Sequence, residues 1–280
     1  MRLLAVLDRA DTAVFTLEAL AGLLNRLGPA DSTILHVEPV RDPDYLSPDE
    51  GMPGKTEHER FVHTVSARAD TLRQIALEWT RAATPPRDTA WTERVGDVRT
   101  LVAREAAGAD ITVLSRPLPH DDSAVAEAFA GALYDAQAAV LIAPLEHCAT
   151  FGQHPVVAWH PSYSLDLAVQ AALPLLERAS RVTFIIGENT PMEVPAPPLG
   201  AVLAQMGVSV QVDRFLLGAG DTGEQVRQRA LAVGGDLLVM GAYTRPHFIE
   251  WLFGGPTQDI LAHGTLPILT RHAPLVGLQS

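Results

Sequence analysis

The chain has 280 residues, with 21 Lys plus Arg against 33 Asp plus Glu and a net charge of −12. That length exceeds one ordinary hydrophobic core, and the charge repels a polyanion, so nucleic-acid binding is excluded as a reading. A single cysteine, Cys148, excludes an internal disulfide framework, and no apolar run approaches the roughly 18 to 20 residues that span a bilayer.

The first apolar run, residues 3–7, is cut by Asp8 and is too short for a signal peptide, so the expected location is the cytoplasm. In chain order, apolar runs predict strands at 2–7, 31–37, 88–94, 110–115 and 139–143. Helical patterns near 12–27, 57–82, 98–107 and 122–136 alternate with them. A short unpatterned stretch, 146–152, follows. Beyond it the spacing predicts strands near 154–159, 181–186, 208–216, 236–241 and 265–270, with helices near 164–179, 197–206, 222–233 and 256–263. Alternation of strand and helix predicts α/β architecture, a parallel sheet covered on both faces.

The second series repeats the first. Leu4-Ala5-Val6-Leu7-Asp8 is echoed by Val156-Val157-Ala158-Trp159-His160 at an offset of 152. Asp110-Ile111-Thr112-Val113-Leu114-Ser115 matches Asp236-Leu237-Leu238-Val239-Met240-Gly241, and 140–143 matches 266–269, both at an offset of 126. The drop between offsets predicts a deletion in the second copy, whose second helix is the shortened one. The domains are therefore set at 1–150 and 151–280, and each half is long enough to bury a core of its own.

Several local patterns suggest chemistry and have plainer readings beside them. Gly218-Ala219-Gly220-Asp221-Thr222-Gly223 spells a dinucleotide loop, but it follows the third strand of its copy, at the expected sheet edge, so a helix capped by Asp221 or Thr222 is the favoured reading. His58, Glu59 and His63 approach a zinc protease motif, yet a spacing of five puts the histidines about 140° apart on a helix. His147, Cys148, His154 and His160 could take zinc if the fold gathered them, the alternative being an ordinary polar linker; no metal site is assigned. Ser162 and Ser164 beside His160 read as helix caps rather than as a nucleophile pair. Pro174 should kink its helix, the prolines at 191, 195, 197 and 198 mark a stiff loop, and Pro144 and Pro267 suit strands at a sheet edge. The tryptophans, with Phe248 and Phe253, are expected in core or interface packing.

One further set of residues carries a family resemblance. The strand ending in Asp8, the strand and helix units, and Met240-Gly241-Ala242-Tyr243-Thr244 through Leu252-Phe253-Gly254-Gly255-Pro256-Thr257 resemble the universal stress protein superfamily in tandem form. The resemblance implies two adenine-nucleotide-alpha-hydrolase-like domains, each a five-stranded parallel sheet of order 3-2-1-4-5. It also implies a stress-response protein without an established chemical turnover of its own, acting by binding a small ligand or a partner. A ligand of such a sheet binds at the strand ends where the winding reverses, with glycines letting backbone approach a phosphate.

The residues the resemblance assigns to binding ATP or another adenine nucleotide are Gly241, Thr244, Gly254, Gly255 and Thr257, with Asp8 and His160 at the ends of the first strands. The family pattern is incomplete: Thr244 stands at a glycine position, Pro256 lacks an N–H, and His160 replaces a carboxylate that would suit magnesium. In the first copy, 115–122 holds no glycine and carries Asp121 and Asp122, so that copy reads as having lost its nucleotide loop. The alternative for Gly241, Gly254 and Gly255 is turns and close packing, and for Asp8 helix capping. The resemblance also implies that the 139–143 and 265–270 strands pair as an intramolecular pseudo-dimer, leaving open a further homodimer. Rival functions are an interaction or scaffold protein with both sites degenerate, and a weak ATPase.

Overall fold

The computed structural model describes residues 1–40, 55–84, 86–118, 121–242 and 265–273. The first half runs β1 (Arg2–Val6), α1 (Ala10–Leu27), β2 (Asp31–Pro39), α2 (Lys55–Ala82), β3 (Thr89–Gly96), α3 (Val98–Ala106), β4 (Ile111–Leu114), α4 (Ser123–Phe129) and β5 (Ala139–Ile142). The second runs β6 (Pro155–Ala158), α5 (Tyr163–Leu176), β7 (Arg181–Glu188), α6 (Pro198–Gln205), β8 (Ser209–Leu216), α7 (Thr222–Ala232), β9 (Leu237–Gly241) and β10 (Ile268–Arg271). The helix anticipated near 256–263 falls outside the described residues. The pattern near 122–136 resolves into α4 and a π-helical segment, Ala130–Asp135, at which Gly131 lies against α3; a Cβ there would stand 2.3 Å from the Arg99 carbonyl oxygen.

The ten strands of the described residues form one sheet of order β3-β2-β1-β4-β5-β10-β9-β6-β7-β8. Each half keeps the parallel order 3-2-1-4-5, and the halves join where β5 and β10 pair antiparallel, with Ile142 opposite Ile268 and Leu141 opposite Leu269. The strands flanking the seam are buried on both faces, which is why they read as unbroken apolar runs. The outermost strands, β3 and β8, are largely exposed or half-buried and carry Glu93, Arg94, Asp213 and Arg214, charges that discourage pairing with another edge. The edge reading of Pro144 and Pro267 is corrected: β5 and β10 lie in the middle of the sheet, and each proline sits just outside the paired residues. Their strands would be edges only in an isolated half; here each covers the other. α6 is the short counterpart of the 28-residue α2, as the change of offset anticipates.

The apolar interior is divided by sheet face. One layer packs α1, α2, α5 and α6 through Leu17, Leu20, Leu72, Leu165, Leu175 and Leu203. The other packs α3, α4 and α7 through Val102, Val125, Phe129 and Ala230. Both layers run through both halves, so the expected pair of separate cores is replaced by two continuous ones, a direct result of joining the sheets edge to edge. Among the described residues, no helix is long and apolar enough to cross a membrane.

Candidate functional site

In a sheet of order 3-2-1-4-5 the winding reverses beside the first strand, and a crevice opens at the carboxyl ends of the strands there. The molecule has two such places, and they differ.

In the first half the crevice is filled from within. β1 delivers Asp8, and Ser115, just beyond β4, donates its hydroxyl to the Asp8 carboxylate, 2.8 and 3.0 Å from its two oxygens. Arg9 then folds back across the opening. It pairs with Asp121, donates to Ser115 Oγ at 3.1 Å and to the Arg116 carbonyl at 2.8 Å. Burial pushes the Asp8 carboxyl above its usual range, and Arg9 and the Ser115 hydrogen bond oppose that push. Only about 20 Å³ is left, between Asp8, His36, Arg68 and Asp122. The capping reading of Asp8 is corrected: α1 begins at Ala10 with Arg9 in the cap position and no side-chain cap, because the Asp8 carboxylate is turned toward β4. Asp121 serves as a counter-ion to Arg9, and Asp122 pairs with Arg68 at 3.0 Å.

In the second half, among the described residues, the space beyond the first strand is wider. A cavity of about 200 Å³ lies at the ends of β6, β7 and β8, lined by Trp159, His160, Gly187, Asn189, Glu193 and Thr222 among others. His160 is exposed at its rim. The loop that borders it is tied down by Glu188, whose buried carboxylate accepts the Val194 N–H at 2.9 Å, the Met192 N–H at 3.1 Å and an ion pair from Arg214. The Val194 N–H and these other donors hold the Glu188 carboxyl below its usual range against the opposing effect of burial. Trp159 Nε1 donates to the Pro195 carbonyl at 2.9 Å, fixing the proline-rich stretch over the same opening.

Gly241 ends β9 against the start of α5. A Cβ there would lie 2.6 Å from both Leu165 N and Ser164 Oγ, so close packing of strand on helix requires glycine at this position. Thr244, Gly254, Gly255, Pro256 and Thr257 lie outside the described residues, as do Phe248, Trp251 and Phe253. Gly241 and His160 are thus brought to the same end of adjacent strands β9 and β6, whereas Asp8 belongs to the filled crevice of the other half.

The other motifs resolve as local structure. Asp221 caps α7, accepting the Glu224 N–H at 2.7 Å, and Gln225 closes the glycine loop through Gly218 N at 2.7 Å. Ser162 caps α5 through the Leu165 N–H at 3.3 Å. The linker histidines go separate ways: His147 bonds Glu18 at 2.7 Å, while His154 Nδ1 donates to the Gly234 carbonyl at 2.9 Å. Among the described residues no group of three or more His, Cys, Asp or Glu is placed to hold a metal.

Sequence reasoning missed Arg9, Glu188 and Arg116. Apart from the adjacent Asp8, the partners of Arg9 stand more than a hundred residues away in sequence, so no local pattern announces its reach across the crevice. Arg116 is fully buried at the seam, donating to the Leu266 carbonyl at 3.1 Å, and among the described residues its Nε and Nη1 have no partner; burial, with Arg227 nearby, lowers its pKa to about 10. Its place directly after β4, where the second copy has Ala242, is the only sequence sign of it.

No family model and no curated sequence matches the chain. Solved structures do. A universal stress protein from Archaeoglobus fulgidus DSM 4304 superposes with a TM-score of 0.69 at 13% identity, covering 96% of this chain and 94% of that one. A functionally unknown protein from Pseudomonas aeruginosa PAO1 superposes with a TM-score of 0.52 at 14% identity, covering 97% and 92% respectively. At that coverage the chain shares its fold with a universal stress protein, and in this chain the fold is two halves joined edge to edge in one sheet.

Proposed function

We propose that this is a stress-response protein of the universal stress protein type, acting in the cytoplasm by binding a small ligand in its second half, with an adenine nucleotide as the candidate. The observation that carries this reading is the contrast between the two crevices, about 200 Å³ in the second half against about 20 Å³ in the first. Trp159 and His160 offer flat surfaces to a base, and Asn189 offers both donor and acceptor. The glycine series at 241, 254 and 255 is the expected approach for a phosphate.

A second reading, an interaction or scaffold protein, is favoured by Glu193 in the cavity wall, because a carboxylate repels phosphate. Calorimetric titration of ATP, ADP and AMP, with and without magnesium, separates the two. Binding near one per chain supports the ligand reading; absence of binding at about millimolar nucleotide, a free energy weaker than about −4 kcal/mol, supports the scaffold reading.

A further inference from the structure

A second cavity, of about 360 Å³, lies between α1 and the stretch that joins the halves, apart from both strand-end crevices. Its volume falls within the range of small-molecule sites. The joining stretch is pinned to α1 at two points. Phe151 sits so close over Gly22 that a Cβ there would meet its ring at 2.7 Å. His147 bonds Glu18 at 2.7 Å and meets the Phe15 ring edge-on at 5.2 Å. The cavity occupies the space between these pins, with Ala19, Pro144 and Pro267 completing its apolar wall.

Its two ends differ in charge. Near the Cys148 end, burial pushes the thiol up, and the carboxylates of Glu18, Asp236 and Glu146 add a negative charge that pushes the same way. At the other end stands Arg26, eight residues and about 12 Å further along α1. Its Nη2 donates to the Arg178 carbonyl, and among the described residues its buried Nε has no acceptor and no carboxylate pairs with it. A guanidinium without a counter-ion at one end, a carboxylate held by histidine at the other, and an apolar wall between them define what fits.

We propose that this cavity binds a small zwitterion with well-separated charges, its ammonium toward Glu18, its carboxylate on Arg26 and its aliphatic middle along Phe15, Ala19 and Phe151. The test is calorimetric titration of the full chain with 6-aminohexanoate, alongside hexanoate and hexylamine, which each keep one charge. The expected result is saturable binding of 6-aminohexanoate at one site, about tenfold or more tighter than either singly charged compound, since a charge-assisted hydrogen bond is lost with each group.

Arg26→Met is expected to reduce 6-aminohexanoate binding to the level of hexylamine, with hexylamine itself unaffected. Should that variant fail to fold, Glu18→Gln at the exposed end of the pair makes the mirror test, weakening 6-aminohexanoate and hexylamine but not hexanoate. ATP is expected not to compete. Equal binding of the three compounds, unchanged binding in the charge variants, or no saturation at roughly tens of millimolar would each overturn the proposal.

Discussion

At the scale of single residues, the fold places strict demands at positions that carry no visible chemistry. Gly241→Ala drives a Cβ into the backbone of α5, and overpacking of this kind is expected to destabilise by about 1–3 kcal/mol, read from urea unfolding. If instead Gly241→Ala keeps full stability and loses nucleotide binding, the glycine serves ligand approach rather than packing. His36 makes a second demand. It is buried beside Trp91, its Nδ1 donates to the Leu7 carbonyl at 2.7 Å, and among the described residues its Nε2 has no partner. Burial lowers its pKa below the ordinary 6.5, with the Leu7 hydrogen bond opposing. The unfolded chain therefore takes up a proton that the folded one resists, so stability falls as pH drops below about 6.5. Replacing it by His36→Leu is expected to flatten that slope between roughly pH 6.5 and 5, measured as the unfolding midpoint against pH; an unchanged slope would mean that other groups set it.

At the scale of elements, helix starts account for most of the sequence motifs that imitate active sites. The GxGxxG run at 218–223 ends in the cap of α7, with Asp221 accepting an N–H and Gln225 folding back onto Gly218. Asp221→Ala is expected to cost about 1 kcal/mol of stability and to leave any nucleotide affinity untouched, checked by parallel unfolding and calorimetry. Loss of affinity with stability intact would reverse that assignment. The imitation is physical: a loop that lets a helix begin tightly needs small residues and a side-chain acceptor, the same features that cradle an anion. Composition around the loop cannot separate the two uses, whereas its place after the third strand can.

At the scale of the whole molecule, the central seam governs cooperativity. Leu269 faces Leu141 across the antiparallel pair, and both are fully buried in a layer that continues through both halves. Leu269→Ala is expected to cost about 2–5 kcal/mol, and both wild type and variant should unfold in one calorimetric transition. Two separated transitions would show that the halves stand independently. Strand positions, the helix positions that fall on described residues and the shortened second helix of the second half were legible in the residues, because apolar periodicity is a local property of a chain. So was the pairing of fifth strands, through the family resemblance. The sequence already favoured the second half, through the missing glycines of 115–122, but what fills the first crevice was not legible. Asp8 looks like a kept ligand residue, yet Arg9 spans the opening above it using Ser115 and Asp121, while His160 borders the larger space. The merging of two cores into two layers and the cavity along α1 were equally hidden. The sequence by itself determined the elements and their repetition, since each depends on neighbours within a few turns. Only the tertiary structure decided which sites are filled, because a long-range ion pair and a packed seam join residues that share no local pattern.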